Sequence, residues 1–116
     1  MKTQREITQQ LRTLHLEELH KELNRISGLF KNMGALKIIL FGSCATNTAG
    51  QLSDLDLFIV MDTDLPFIER LMYFYKTILP SVPTDILVYT PEEFERNKDN
   101  PFIREIIKNG KIIYEK

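Results

Sequence analysis

Apolar residues at Ile7, Leu11, Leu14, Leu19, Leu23, Ile26 and Phe30 recur at close to helical spacing. Thr3 followed by Glu6 reads as a capping box that opens this helix, and Gly34 reads as its stop. A continuous helix of that length is long for so small a chain, so a break is expected near His15 or Leu16. The second half should pack on the core and the first half serve as a contact arm, within a helical N-terminal arm over residues 1–25. Leu36 to Phe41 is a short apolar run typical of a buried strand, and it stops at Gly42-Ser43. A loop or short helix from Cys44 to Ser53 leads to a second strand, Leu55 to Met61. Asp64 is placed to cap a helix with Pro66 in its first turn. Ile68, Leu71, Met72, Tyr75, Ile78 and Leu79 form the apolar face of that helix.

Pro80 and Pro83 punctuate the chain before a third strand, about Asp85 to Tyr89. Thr90, Pro91 and Glu93 form another capping box, with proline at the first helical position. Asn100-Pro101 opens one more short helix, with Phe102, Ile103, Ile106 and Ile107 inward, and Asn109-Gly110 ends it. Lys111 to Tyr114 closes the chain as an edge strand. The order helix, strand, strand, helix, strand, helix, helix, strand predicts an α+β fold. Its natural form is a mixed β-sheet of about four strands flanked by helices.

Composition narrows the classes of function. The chain has 116 residues, 43% of them hydrophobic and 27% charged, which fits a single compact domain over 1–116 and argues against disorder. Fifteen Lys+Arg against sixteen Asp+Glu leave a formal charge of -1, so no extended nucleic-acid surface is expected. One cysteine, Cys44, can form neither an internal disulfide nor a multi-thiolate metal site, which points to a reducing, cytoplasmic setting. No apolar run is long enough to span a bilayer, so no membrane role is expected. Met1 to Gln10 lack the apolar core of a secretion signal.

The chemistry concentrates in Leu40-Phe41-Gly42-Ser43 and Ser53-Asp54-Leu55-Asp56-Leu57. Side chains alternate along a strand, so Asp54 and Asp56 point the same way, with Cα atoms about 6.5 Å apart. Leu55, Leu57 and Ile59 face the opposite way into a core, while Phe58 and Val60 make the carboxylate face apolar further along. Two parallel carboxylates repel one another, and a hard divalent cation relieves that repulsion. Mg²⁺ is the expected ion, because it takes oxygen ligands and keeps water and substrate phosphate in its shell. An isolated Asp-x-Asp is more often a solvated strand end. Here a glycine-serine turn precedes the pair, and a third aspartate, Asp85, opens the next strand. Glycine permits close backbone approach, and Ser43 with adjacent amides can hold a phosphate.

Gly42-Ser43, ten residues, Asp54-Leu55-Asp56 and a later Asp85 resemble the nucleotidyltransferase pattern of the DNA polymerase beta superfamily. The small size, the run Leu40-Phe41-Gly42-Ser43 and the ending Phe102 to Tyr114 resemble, more narrowly, the minimal nucleotidyltransferases, antitoxin partners of HEPN-domain toxins. The resemblance covers roughly Ile26 to Tyr114. It implies a polymerase beta-like fold in which Asp54 and Asp56 hold two Mg²⁺ ions bridging a nucleoside triphosphate. Asp85 would ligate the metal nearer the acceptor and help deprotonate its hydroxyl, and Ser43 with the Gly42 turn would bind the pyrophosphate end. The implied reaction is transfer of a nucleoside monophosphate, AMP from ATP, to a hydroxyl of a HEPN toxin partner. Family members commonly carry an arginine after the serine and basic and glycine residues shortly beyond, where this chain has Cys44, Thr46 and Asn47. Arg70 or Lys76 could supply the missing charge.

That departure keeps a second class open: the same fold acting as a binding antitoxin or scaffold with little or no transfer. Small-molecule modification, as in the aminoglycoside nucleotidyltransferases, is weaker because the chain has no room for their additional helical domain. A homodimer through the N-terminal arm is a further expectation. The other motifs read as structural. Asp62-Thr63-Asp64 lies between a strand end and a helix start, where capping is common. His15 and His20 are on different helix faces. Cys44 reads as a small packing residue, and Tyr73, Phe74 and Tyr75 as core or interface. The sequence lacks the second glycine of a nucleophile elbow and the triplet of a Walker loop.

Overall fold

The computed structural model describes residues 1–45 and 54–116. The chain runs α1 (Gln4–Asn32), β1 (Lys37–Phe41), a 3₁₀ turn (Gly42–Cys44), β2 (Leu55–Val60), α2 (Phe67–Ile78), β3 (Thr84–Tyr89), α3 (Pro91–Arg96), α4 (Pro101–Asn109) and β4 (Lys111–Glu115). The four strands form one mixed sheet in the order β3-β2-β1-β4. β1 pairs antiparallel with both β2 and β4, and β2 pairs parallel with β3 through the α2 crossover. Of the expected Cys44–Ser53 connection, residues 46–53 lie outside the described residues.

α1 is continuous through His15 and Leu16, where a break was expected. Neither proline nor glycine interrupts it before Gly28, and Leu, Glu, Gln, Arg and Lys favour helix throughout. The Thr3 hydroxyl accepts a hydrogen bond from the Glu6 amide (3.2 Å) at its start. Residues 1–14 are exposed, whereas Leu19, Leu23, Ile26 and Phe30 are buried. The helix therefore packs by its second half and projects by its first, and the molecule measures 56 × 29 × 24 Å. Gly34, at φ +99°, turns the chain back so that the Ala35 amide reaches the Phe30 carbonyl at 2.9 Å.

The sheet buries both faces over most of its length. Leu55, Leu57 and Ile59 of β2 pack with α1 and α2, while Phe58 and Val60 pack with Ile103 and Ile106 of α4. Phe102 and Ile107, expected inward, are half exposed, because α4 lays only the Ile103–Ile106 ridge on the sheet.

α2 buries its expected face only in part: Ile78 is buried and Leu71 and Tyr75 are half-buried. Arg70, Phe74 and Ile78 are its buried residues, and Ile68 and Met72 are 72% and 70% exposed. Arg70, on the buried side, donates to the carbonyls of Leu65 (2.7 Å) and Val88 (3.1 Å) and pairs with Glu93 at 2.6 Å. Those partners offset the cost of burying a guanidinium. Asp64 makes no cap either: Pro66 takes the N-cap position without a side-chain bond, and the Thr63 hydroxyl accepts from the Leu65 amide instead. Thr90 and Glu93 form the expected capping box, with Pro91 at the start of α3.

Glu22 ties α1 to the connection before β3. Its carboxylate accepts from Arg25 (2.5 and 2.8 Å) and from the Ser81 amide (2.5 Å), while Arg25 also donates to the Ile78 and Leu79 carbonyls. The Arg25 hydrogen bond outweighs the effect of burial and holds the Glu22 carboxyl down from 4.5 to about 2. The charged form is thus favoured in the folded state, so this stabilisation is present above pH 4.5 and is lost as pH falls toward 2. Glu22→Gln is expected to cost about 1–3 kcal/mol in urea denaturation at neutral pH, with the difference from wild type shrinking as the pH approaches the lower value.

Candidate functional site

Strand register assembles the site. Phe41 lies opposite Asp56 in the β1–β2 pair, and Asp56 lies opposite Asp85 in the β2–β3 pair. By strand alternation Asp56 and Asp85 occupy the same sheet face as Phe58 and Leu87. The α3–α4 layer covers Ile39, Phe58 and Val60 on that face, and the carboxylates lie beyond its apolar cluster. Asp56 is half-buried; Asp54 and Asp85 are exposed. Asp54 precedes the first residue of β2, whose amide already bonds the Pro83 carbonyl at 3.0 Å.

The turn after β1 fits against this group. Gly42 has φ +73°, and a Cβ built there would collide with the Asp56 carboxylate, with the carboxyl carbon at 3.2 Å. The Asp56 side chain thus fills the space that any other residue at 42 would need. The 3₁₀ turn closes through the Ala45 amide on the Gly42 carbonyl (3.1 Å), and the Cys44 thiol donates to the Asp54 carbonyl at 3.3 Å. Burial first, then the Asp56 charge, raises the Cys44 pKa, against a Ser43 hydrogen bond that lowers it. Cys44 is therefore a protonated packing and tethering group, not a reactive thiolate.

Burial, the charge of Asp85, a hydrogen bond with Asp85 and the charge of Asp54 together raise the Asp56 carboxyl from 3.8 to about 6. Among the described residues no three His, Cys, Asp or Glu side chains stand together closely enough to hold one metal ion. What is assembled is the Asp56–Asp85 pair, with Asp54 at its margin. That donor set fits Mg²⁺, which is commonly held by one or two carboxylates with water and substrate phosphate completing its shell. A cavity of about 290 Å³ adjoins the turn, lined by Phe41, Gly42, Ser43, Phe102, Glu105 and Asn109 among others.

The remaining candidates sort by position. Arg70 is committed to Glu93 and to Val88, toward the far end of β3 from Asp85, so it does not serve the carboxylates. Lys76 is exposed on α2, His15 half-buried and His20 exposed on α1. Thr46 and Asn47 lie outside the described residues. Tyr75, read from sequence as core or interface, comes close enough to Asp85 and Asp56 for their charges to act on its hydroxyl. Its only sequence signal is a hydroxyl on an otherwise apolar helix face.

The sequence profile of the family described as "Polymerase beta, Nucleotidyltransferase" matches residues 24–116. No curated protein matches the chain. Among solved structures, a protein of Sulfolobus solfataricus assigned as a nucleotidyltransferase is similar, with a TM-score of 0.57 and 17% identity. The match covers 94% of this chain and 87% of that one. A toxin–antitoxin structure with AMP-PNP is similar with a TM-score of 0.50 and 17% identity, covering 80% of this chain and 73% of that one. At such identity the likeness is one of fold.

Two outcomes follow from the packing of Asp56. Gly42→Ala must displace that carboxylate and strain a left-handed turn, and a loss of about 1–3 kcal/mol is expected in urea denaturation. An acid whose pKa is raised by folding opposes the folded state increasingly as pH rises through 3.8 to about 6. Asp56→Asn is therefore expected to be more stable than wild type at neutral pH, by about 1 kcal/mol after allowance for solvent screening. Thermal denaturation should show that gap closing near pH 4.

Proposed function

Because the chain belongs to the polymerase beta nucleotidyltransferase family, we propose that it is a Mg²⁺-dependent enzyme. It transfers AMP from ATP to a side-chain hydroxyl of a partner protein, the HEPN toxin of a cytoplasmic toxin–antitoxin pair. The observation that carries this reading is Asp56 set beside Asp85, with the Gly42 turn packed against it. The half-buried Asp56 carboxylate, pushed toward protonation beside the exposed Asp85, is a place where a divalent cation gains from relieving repulsion.

Asp54, Asp56 and Asp85 would hold two Mg²⁺ ions with the triphosphate, which supply charge stabilisation for the entering and leaving oxygens. Gly42 and Ser43 hold the pyrophosphate end, where the turn brings backbone close without a side chain. Asp85, exposed on the edge strand, takes the proton of the attacking hydroxyl. A bond forms between that oxygen and the α-phosphorus as the bond to pyrophosphate breaks, in line, and positioning accounts for most of the acceleration.

The acceptor comes from a second chain. Exposed apolar residues support such a contact: Ile7, Leu11 and Leu14 on the projecting half of α1, and Ile68, Met72, Tyr73 and Leu79 along α2. The same surfaces support a homodimer. No helix of the described residues is long and apolar enough to cross a membrane. A second reading, inhibition of the partner by contact alone, is favoured by Cys44, Thr46 and Asn47 standing where the family pattern that the sequence resembles has two basic residues and a glycine, and by the commitment of Arg70 elsewhere.

The two readings part in one experiment: labelled ATP, Mg²⁺, this protein and a HEPN partner, followed by intact mass. A gain of one AMP on the partner is expected, reduced at least about a hundredfold in Asp54→Asn, Asp56→Asn and Asp85→Asn. Neutralisation of the partner that persists equally in those variants would establish the contact reading instead.

A further inference from the structure

β3 is an edge strand of the described sheet, so the backbone groups along its outer side have no neighbouring strand to bond. At one point a side chain takes that place. The Tyr75 hydroxyl donates to the Thr84 carbonyl at 2.5 Å and accepts from the Ile86 amide at 2.9 Å. These two groups flank Asp85. In a parallel ladder, a residue gives to and receives from the two residues that flank its opposite number. One hydroxyl on α2 therefore does for Asp85 what a residue of a fifth strand would do.

We propose that Tyr75 is a positioning residue of the carboxylate site, the clip that holds Asp85 level with Asp56. The inference rests on the nucleotidyl-transfer reading for its consequence in catalysis, but its geometry stands apart from it. β3 bonds β2 on one side only, and the Pro83 that precedes it has no amide hydrogen. Without the clip, the start of β3 loses the two Tyr75 bonds on its outer side, and Asp85, still in register with Asp56 through the ladder, is held from one side only. The body of Tyr75 packs against the core shared by α1 and α2, so the anchor is tied to the scaffold. Burial, with the nearby charges of Asp85 and Asp56, raises the pKa of the phenol despite the Ile86 bond, which keeps the proton that Thr84 accepts.

The test uses Tyr75→Phe, which keeps the ring and removes the hydroxyl, with Phe94→Leu as a control that loosens the α3–α4 layer beside Lys37, at the end of the sheet away from the carboxylates. Hydrogen exchange of the Ile86 amide, Mn²⁺ affinity by electron paramagnetic resonance, and kcat and KM for AMP transfer are measured on the full chain. Expected for Tyr75→Phe are an Ile86 amide exchanging at least about tenfold faster, Mn²⁺ binding weakened about tenfold, and kcat lowered about tenfold or more with KM for ATP little changed. Phe94→Leu should leave Mn²⁺ affinity and kcat near wild type. An Ile86 amide that exchanges freely in the wild-type protein overturns the proposal, as does a folded Tyr75→Phe with wild-type Mn²⁺ affinity. Wild-type protein that binds Mn²⁺ but transfers no AMP defeats the transfer reading alone, and Ile86 exchange and Mn²⁺ affinity still decide the role of Tyr75.

Discussion

Asp56, half-buried, and Asp85, exposed, stand opposite each other on neighbouring parallel strands. Placing like charges together costs free energy, and partial burial adds to that cost. The arrangement persists because the sheet leaves no alternative. The β1–β2 hairpin fixes Asp56 opposite Phe41, the parallel pair fixes Asp85 opposite Asp56, and both registers are held by buried side chains further along. A one-residue slip would turn every one of those core residues to the wrong face. The stability of the apolar layers thus maintains a local arrangement that is unfavourable in isolation.

The same logic explains the scaffold around the pair. Among the described residues Arg70 and Glu22 are the two buried charged side chains, and each is met by a partner of opposite charge and by backbone groups. Both work at connections: Arg70 joins the start of α2 to the end of β3, and Glu22 joins α1 to the segment that enters β3. β3, which carries the exposed Asp85, is accordingly held at both ends.

Much of this was legible in the residues. Period-two alternation placed Leu55, Leu57 and Ile59 on one side of β2 and Phe58 and Val60 on the other, which is how the two core clusters divide. The Thr90–Glu93 capping box and the Asn100-Pro101 start carried their own local signals. The glycine at 42 and the aspartates suggested a close approach, and the Gly42 turn packs on the Asp56 carboxylate. The exposure of Ile68 and Met72 on α2 was not legible. The apolar arc of that helix is wide, and the buried Arg70 finds its partner at long range in Glu93. The role of the Tyr75 hydroxyl was hidden for the same reason, since its partners are backbone groups of a later strand. Nor did local pattern reveal that α1 runs unbroken, because length alone argued against what helix propensity allows.

The chain separates Asp56 from Asp85 by a strand end, a proline-led helix and a proline-rich turn. Their encounter therefore requires loop closure over the whole crossover, a longer closure than the one that joins β1 to β2. A local hairpin can form early while the site still does not exist. By the same token, transient fraying of the outermost strand dissolves the carboxylate pair without unfolding the molecule, so the lifetime of the site is set by subglobal opening of β3 and not by global stability.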